Sequence, residues 1–134
     1  MQIRRTETLA IRSESQVVEV RQAVRALTLS LKFSLTDQTK LVTAASEIAR
    51  NTLTYGKGGD VVIEHLEDGG RAGIRLTFTD QGPGIPDIQR ALSDGYTSGS
   101  GLGLGLGGSR RLVHEFEVIC PPEGGTIVSL LRWK

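Results

Sequence analysis

The chain has 134 residues, with Lys plus Arg at 16 and Asp plus Glu at 15, for a net charge of +1. This length makes one domain, residues 1–134, the expectation, and the near-balanced charge excludes an electrostatic case for nucleic acid or a polybasic membrane contact. The single cysteine, Cys120, excludes an internal disulfide and a cysteine-rich zinc site, and no apolar run nears the roughly 20 residues of a membrane span.

Residues 2–11 alternate around Ile3, Leu9 and Ile11 and predict a first strand. The opening segment lacks the apolar stretch of a signal peptide, so a cytoplasmic location is expected. Ser13-Glu14-Ser15-Gln16 fits a capping box. Val17, Val20, Val24, Leu27 and Leu31 follow at steps of three and four, one face of an amphipathic helix. Residues 33–35 read as a break, and Thr36-Asp37 opens a second helix with the core stripe Leu41, Ala44, Ala45, Ile48, ending near Tyr55 before Gly56.

Val61, Val62 and Ile63 mark a strand over 60–66, and Asp68-Gly69-Gly70 is a hairpin turn into a returning strand over 73–79. Residues 82–100 are polar and marked by Gly and Pro, a loop expected to move and to hold one short helical piece over 87–92. A third helix is predicted over 109–115, then strands over 116–119 and 126–133 joined through Pro121-Pro122-Glu123-Gly124-Gly125. The order predicts an α+β fold: a two-layer sandwich with a mixed, mostly antiparallel sheet and three helices on one face.

Seventeen glycines are nearly double the usual ~7%. Six of them crowd into residues 99–108. Each glycine weakens a helix or strand by ~1 kcal/mol relative to Ala. A run this dense points to backbone freedom or close ligand approach.

Three clusters carry candidate chemistry. Glu47 and Asn51 stand at i and i+4 in the second helix, so a carboxylate and a carboxamide share one face. The first suits a hydroxyl proton and the second a hard cation; taken alone, a solvated helix face is the commoner reading. Asp80-Gln81-Gly82-Pro83-Gly84 closes a strand with a carboxylate that can accept from an exocyclic amine, beside glycines that admit a flat ring. Alone it reads equally as a turn. Gly101-Leu102-Gly103-Leu104-Gly105-Leu106-Gly107-Gly108 leads into a helix and offers successive N–H groups to an anion. It is neither a Walker loop, lacking Lys-Ser/Thr, nor a dinucleotide fingerprint, lacking a βαβ unit.

Together, in this order and spacing, the clusters resemble the GHKL ATP-binding superfamily, whose members share the Bergerat fold. Glu47 and Asn51 match its N box, and Asp80, Gly82 and Gly84 its Asp-x-Gly-x-Gly box. Gly101, Gly103 and Gly105 match its Gly-x-Gly-x-Gly box, with Leu106 in the same run, and Gly125-Thr126 matches its Gly-Thr pair. The resemblance spans nearly the whole chain. The small size, with its own start and a plausible final strand, argues against a fragment of a histidine kinase or topoisomerase. Thr36-Asp37-Gln38-Thr39-Lys40, Ala49-Arg50-Asn51-Thr52, Asp87-Ile88 and Asp94-Gly95-Tyr96-Thr97 are most similar to the switch kinases of the stressosome, in the anti-sigma-factor serine kinase branch. Arg111-Leu112 and Glu115-Phe116 add to that likeness. Gly107-Gly108 departs from the Pro-Gly of that branch.

The resemblance implies a serine/threonine-protein kinase acting on a STAS-domain protein and switching partners, with a downstream phosphatase or other output protein, in bacterial stress signalling. It implies Glu47 as base, Asn51 as the Mg²⁺ ligand, and Asp80 on the adenine amine with Thr126 in support. Gly82 and Gly84 would lie beside the ring, and Gly101, Gly103, Gly105 and Leu106 along the phosphates of ATP. It leaves homo-oligomer formation open. The alternative is an anti-sigma factor or ATP-dependent binding module that sequesters a partner. Arg50 reads as a surface ion pair, His65 and His114 as exposed or capping residues, Cys120 as a buried thiol, and Leu131 and Trp133 as packing residues.

Overall fold

The computed structural model describes residues 1–83 and 105–134. The expected loop over 82–100, its helical piece, Gly84, Gly101 and Gly103 therefore lie outside the described residues, apart from Gly82 and Pro83.

The elements run β1 Gln2–Ile11, α1 Glu14–Ser30, α2 Leu35–Thr54, β2 Gly59–Asp68, β3 Arg71–Asp80, α3 Gly105–Arg110, β4 Glu115–Ile119 and β5 Thr126–Trp133. The strands form one sheet in the order β1-β2-β3-β5-β4. All four pairings are antiparallel, so the described sheet lacks the parallel component that a mixed sheet would need. The helices bury their apolar stripes on one side of it.

Local chemistry explains the helix starts. The Ser13 hydroxyl accepts the Gln16 N–H at 3.3 Å, one half of the capping box. The other half shifts by one residue, since Gln16 Oε1 accepts the Arg12 N–H at 2.6 Å. The second helix begins earlier than Thr36 because Ser34 is its cap, accepting the Asp37 N–H at 3.1 Å. In α1, Val17, Val20, Val24 and Leu27 are buried as the spacing requires, while Leu31 is the half-buried cap residue.

Between the helices and the sheet lie Leu41, Ala44, Ala45 and Ile48 of α2, against Val61, Ile63, Ile74, Leu76, Phe78, Val128 and Leu130. Fully burying one such large side chain contributes about 1.5–3 kcal/mol. The β2–β3 hairpin turns through Gly69 at φ 59° and Gly70 at φ 83°, the left-handed pair that a two-residue hairpin loop favours.

The third helix departs most from expectation. It begins at Gly105, four residues before Ser109, and stops at Arg110. Leu106 is 8% exposed and Ser109 fully buried, and the helix packs on α2. Tertiary burial thus overrides the poor helix propensity of Gly105, Gly107 and Gly108.

At the far end of α2, Arg132 of β5 donates from Nη2 to Asp37 Oδ1 and from Nη1 to the Leu112 carbonyl at 2.9 Å. Trp133 covers Gly73, where a Cβ would stand 2.6 Å from the indole, and the Trp133 main-chain N–H donates to His114 Nδ1 at 2.9 Å. His114 is thus a capping residue for β5, and Leu131 is buried.

The hydrogen bond from Arg132 holds the Asp37 carboxyl below its ordinary value. The unfolded chain therefore takes up this proton first as pH falls, so the contribution of Asp37 is present above the ordinary carboxylate range and lost below it. Asp37→Asn is expected to cost about 1–2 kcal/mol at neutral pH and to flatten the acid limb of stability, read by urea unfolding from pH 7 to 3. An unchanged acid limb would show that the Arg132 contact does not couple to folding.

Candidate functional site

The second helix carries Glu47 and Asn51 one turn apart, both half-buried, flanking the buried Ile48 and Thr52. Its last turn ends on one shared acceptor. The Asn51 carbonyl accepts from the N–H groups of both Tyr55 at 2.9 Å and Gly56 at 3.1 Å. The chain then turns through Lys57 at φ 60° and Gly58 at φ 95°, whose N–H donates to the Thr52 carbonyl at 2.9 Å. This hook delivers Gly59 into β2 opposite Asp80 of β3.

Asp80 ends its strand with an Asx turn: Oδ1 accepts the Gly82 N–H at 2.9 Å. The other oxygen, Oδ2, takes no hydrogen bond among the described residues and remains available as an acceptor. Three glycines press on this carboxylate turn. A Cβ at Gly56 would stand 2.4 Å from Asp80 Cγ and 2.5 Å from Oδ2. At Gly82 it would stand 2.8 Å from Gly56 Cα. At Gly125, where φ is +87°, it would stand 2.3 Å from the Asp80 carbonyl oxygen.

The Gly125 N–H donates to the Gly82 carbonyl at 2.9 Å, tying the β4–β5 connection to the Asp80 turn. Thr126, 7% exposed, is the β5 partner of Asp80. Its hydroxyl lies 4.0 Å from Cys120 Sγ. Cys120 is half-buried, not the buried thiol that its sequence context predicts, because β4 is an edge strand.

The structure therefore brings Asp80, Gly82 and Thr126 together, with the end of the Glu47–Asn51 helix against them. Leu106 is placed in the core, so only its main chain is available to a ligand. Arg50 pairs with Glu14 at 3.4 Å, the surface ion pair expected of it. Gly56 is the site residue that sequence reading missed. It reads as a helix stop, and the only further signal is its position five residues after Asn51.

Residues 36–134 match the family model described as "Histidine kinase-, DNA gyrase B-, and HSP90-like ATPase". The chain is 39% identical over 123 residues to the serine/threonine-protein kinase RsbT of Bacillus subtilis (strain 168), covering 92% of each. It is 30% identical over 119 residues to an anti-sigma F factor of Oceanobacillus iheyensis, covering 84% of this chain and 80% of that one.

Among solved structures, the RsbU and RsbW domains of Rv1364c from Mycobacterium tuberculosis superpose with a TM-score of 0.67 at 18% identity. That match covers 97% of this chain and 33% of the other. The SiaB–SiaC complex from Pseudomonas aeruginosa gives 0.61 at 16% identity, covering 98% and 91%. At these identities the two structures speak to the fold alone.

Gly56→Ala is expected to push the Asp80 carboxyl aside and weaken ATP binding by about tenfold or more, since a shift near 1 Å is that costly in a positioned site. Calorimetric titration with ATP checks it, beside far-UV circular dichroism for retained folding. Unchanged affinity in a folded variant would remove Gly56 from the site.

Proposed function

The chain belongs to the histidine kinase-, DNA gyrase B-, and HSP90-like ATPase family, and we propose that it is an ATP-dependent serine/threonine-protein kinase acting on a STAS-domain protein. Residues 1–134 serve as a single kinase domain in the cytoplasm. Phosphorylation moves the kinase from its STAS substrate to a downstream output protein, such as a phosphatase, in bacterial stress signalling. No described helix is long and apolar enough to cross a membrane, and the reading needs no membrane or nucleic acid.

The observation that carries this reading is the Glu47–Asn51 pair on a helix whose end packs through Gly56 onto the Asp80 turn. In a binder that only sequesters, nothing requires a carboxylate one turn before the carboxamide. The similarity to a serine/threonine-protein kinase over 92% of each chain supports the same assignment.

The roles follow from chemistry. Asp80 Oδ2 accepts from the adenine N6 amine, and Thr126 supports it through its hydroxyl. Gly82 and Gly84 let the ring approach the main chain. N–H groups of Gly101, Gly103, Gly105 and Leu106 line the phosphates, a role read from their place in the glycine run. Asn51 offers a hard carboxamide oxygen to Mg²⁺. Among the described residues no group of three His, Cys, Asp or Glu gathers to hold a metal. This donor set suits an ion bound mainly through phosphate oxygens and water, which neutralises charge across the phosphates when bound.

Glu47 takes the proton of the substrate hydroxyl as its oxygen bonds to the γ-phosphorus. The bond to the β–γ bridging oxygen breaks and ADP leaves. Such transfer depends on positioning and charge stabilisation more than on covalent chemistry. A second reading, an anti-sigma factor that sequesters its partner in a nucleotide-dependent way, draws on the likeness to an anti-sigma F factor.

Incubation with Mg²⁺, γ-labelled ATP and a STAS-domain protein is expected to label a serine or threonine of that protein. Glu47→Ala should reduce this labelling by about 100-fold or more with nucleotide affinity retained. Asn51→Ala should weaken the Mg²⁺ dependence of that affinity. Absence of label together with a tight nucleotide-dependent complex would favour the sequestering reading.

A further inference from the structure

The buried hydroxyls of α1 and α2 close on their own main chain. Thr28 donates to the Arg25 carbonyl at 2.7 Å and Thr52 to the Ile48 carbonyl at 2.9 Å. Each reaches back three or four residues, the ordinary refuge of a hydroxyl inside a helix. Ser109 of α3 does not follow them. It is fully buried, and its Oγ has no hydrogen-bond partner among the described residues. The carbonyls three and four residues back belong to Leu106 and Gly105 of the same helix, and the hydroxyl uses neither.

A buried hydroxyl without a partner is destabilising, and folded chains keep few of them. Alanine would fill the same space, remove the unmet group and favour the helix. That helix needs support, because three of its six residues are glycine. Propensity, burial and hydrogen bonding all point to alanine at position 109, and serine stands there. Such local disagreement marks a residue that serves function.

The surroundings supply the complementary group. Among the described residues, the one other buried side-chain nitrogen or oxygen without a partner is Arg132 Nε. The same guanidinium donates from Nη1 to the Leu112 carbonyl at 2.9 Å. The Leu112 N–H in turn donates to the Ser109 carbonyl at 3.0 Å. Both unmet groups therefore border one short turn, residues 109–112, which joins α3 to β4. Nε can only donate, and a hydroxyl oxygen can accept. Glycine at 107 and 108 leaves little side chain to lock α3 at one position on α2.

We propose that Ser109 is a positioning residue for nucleotide, acting through a second seat of α3 on α2 in which its hydroxyl accepts from Arg132 Nε. Phosphates held by the N–H groups of Gly105 and Leu106 favour that seat. A ligand shifts such an equilibrium only by binding one seat better than the other. The new hydrogen bond supplies part of that difference. Arg132 also donates to Asp37 near the start of α2, so the phosphate end of the site is joined to the helix of Glu47 and Asn51. The inference rests on the reading of the glycine run as the phosphate site.

The test combines calorimetric titration with Mg²⁺ and ATP, thermal melting without nucleotide, and hydrogen exchange. Ser109→Ala should melt about 2–5 °C above wild type and bind ATP about fivefold more weakly. A residue that only packs would move both readings in the same direction. Threonine and valine have one shape and differ in the hydroxyl, so Ser109→Thr should bind ATP about fivefold more tightly than Ser109→Val. That gap should close in an Arg132→Lys background, which lacks Nε, with circular dichroism reporting the fold. Exchange of the α3 N–H groups should slow with ATP in wild type, and less in Ser109→Ala.

Equal ATP affinity of Ser109→Thr and Ser109→Val, while wild type binds ATP, would overturn this proposal alone. So would a Ser109→Ala variant less stable than wild type with unchanged affinity, or a gap that persists with Arg132→Lys. A wild type that binds no ATP would overturn it together with the reading of the glycine run.

Discussion

Around Asp80 the end of α2, the turn after β3 and the connection into β5 converge, and each brings a glycine to the close approach. Gly56 comes from the end of α2, Gly82 from the turn after β3, and Gly125 from the connection into β5. A methyl group at any of them would lie under 3 Å from main chain or from the carboxylate itself. This convergence joins the helix that carries Glu47 and Asn51 to the strand that carries Asp80. The site therefore depends less on the strength of any bond than on the absence of three side chains. Each of the three gives up glycine's larger conformational entropy on folding, and Gly125 is held at φ +87°.

Much of this was readable from the sequence where periodicity is local. The α1 stripe and the α2 stripe are buried as their spacing requires, because a helix facing one sheet has to keep its apolar residues in phase. The sequence predicts Thr126 to Trp133 with the bounds that the structure gives, since Pro121 to Gly125 punctuates the chain before it. The Asp68-Gly69-Gly70 turn was legible for the same reason.

What escaped depends on partners distant in sequence. The third helix starts inside the glycine run because Leu106 finds the core and α2, which intrinsic propensity does not register. Gly56 reads as an ordinary helix stop until β3 brings Asp80 against it, 24 positions later in the numbering. The half-burial of Cys120 follows from β4 lying at the sheet edge, and strand order is not written in any single segment. In the candidate site, residue types and spacings were legible, but the contact that packs one motif on another was not.

The same long-range logic fixes the helix that carries Glu47 and Asn51. The second helix has 20 residues and spans about 30 Å at 1.5 Å each. The eight residues of β5 span about 27 Å at 3.4 Å each. The two lengths nearly match, and both ends of the helix are fastened. Near its start, Asp37 takes a hydrogen bond from Arg132 at the far end of β5. At its finish, Gly56 abuts Asp80, the strand partner of Thr126 at the near end of β5. A helix pinned at both ends to one pair of strands cannot slide along them or swing about one contact. The catalytic candidates sit between those pins, on the half of the helix nearer Asp80. Loosening the Arg132 end would therefore disturb their alignment from a distance, without any contact to nucleotide.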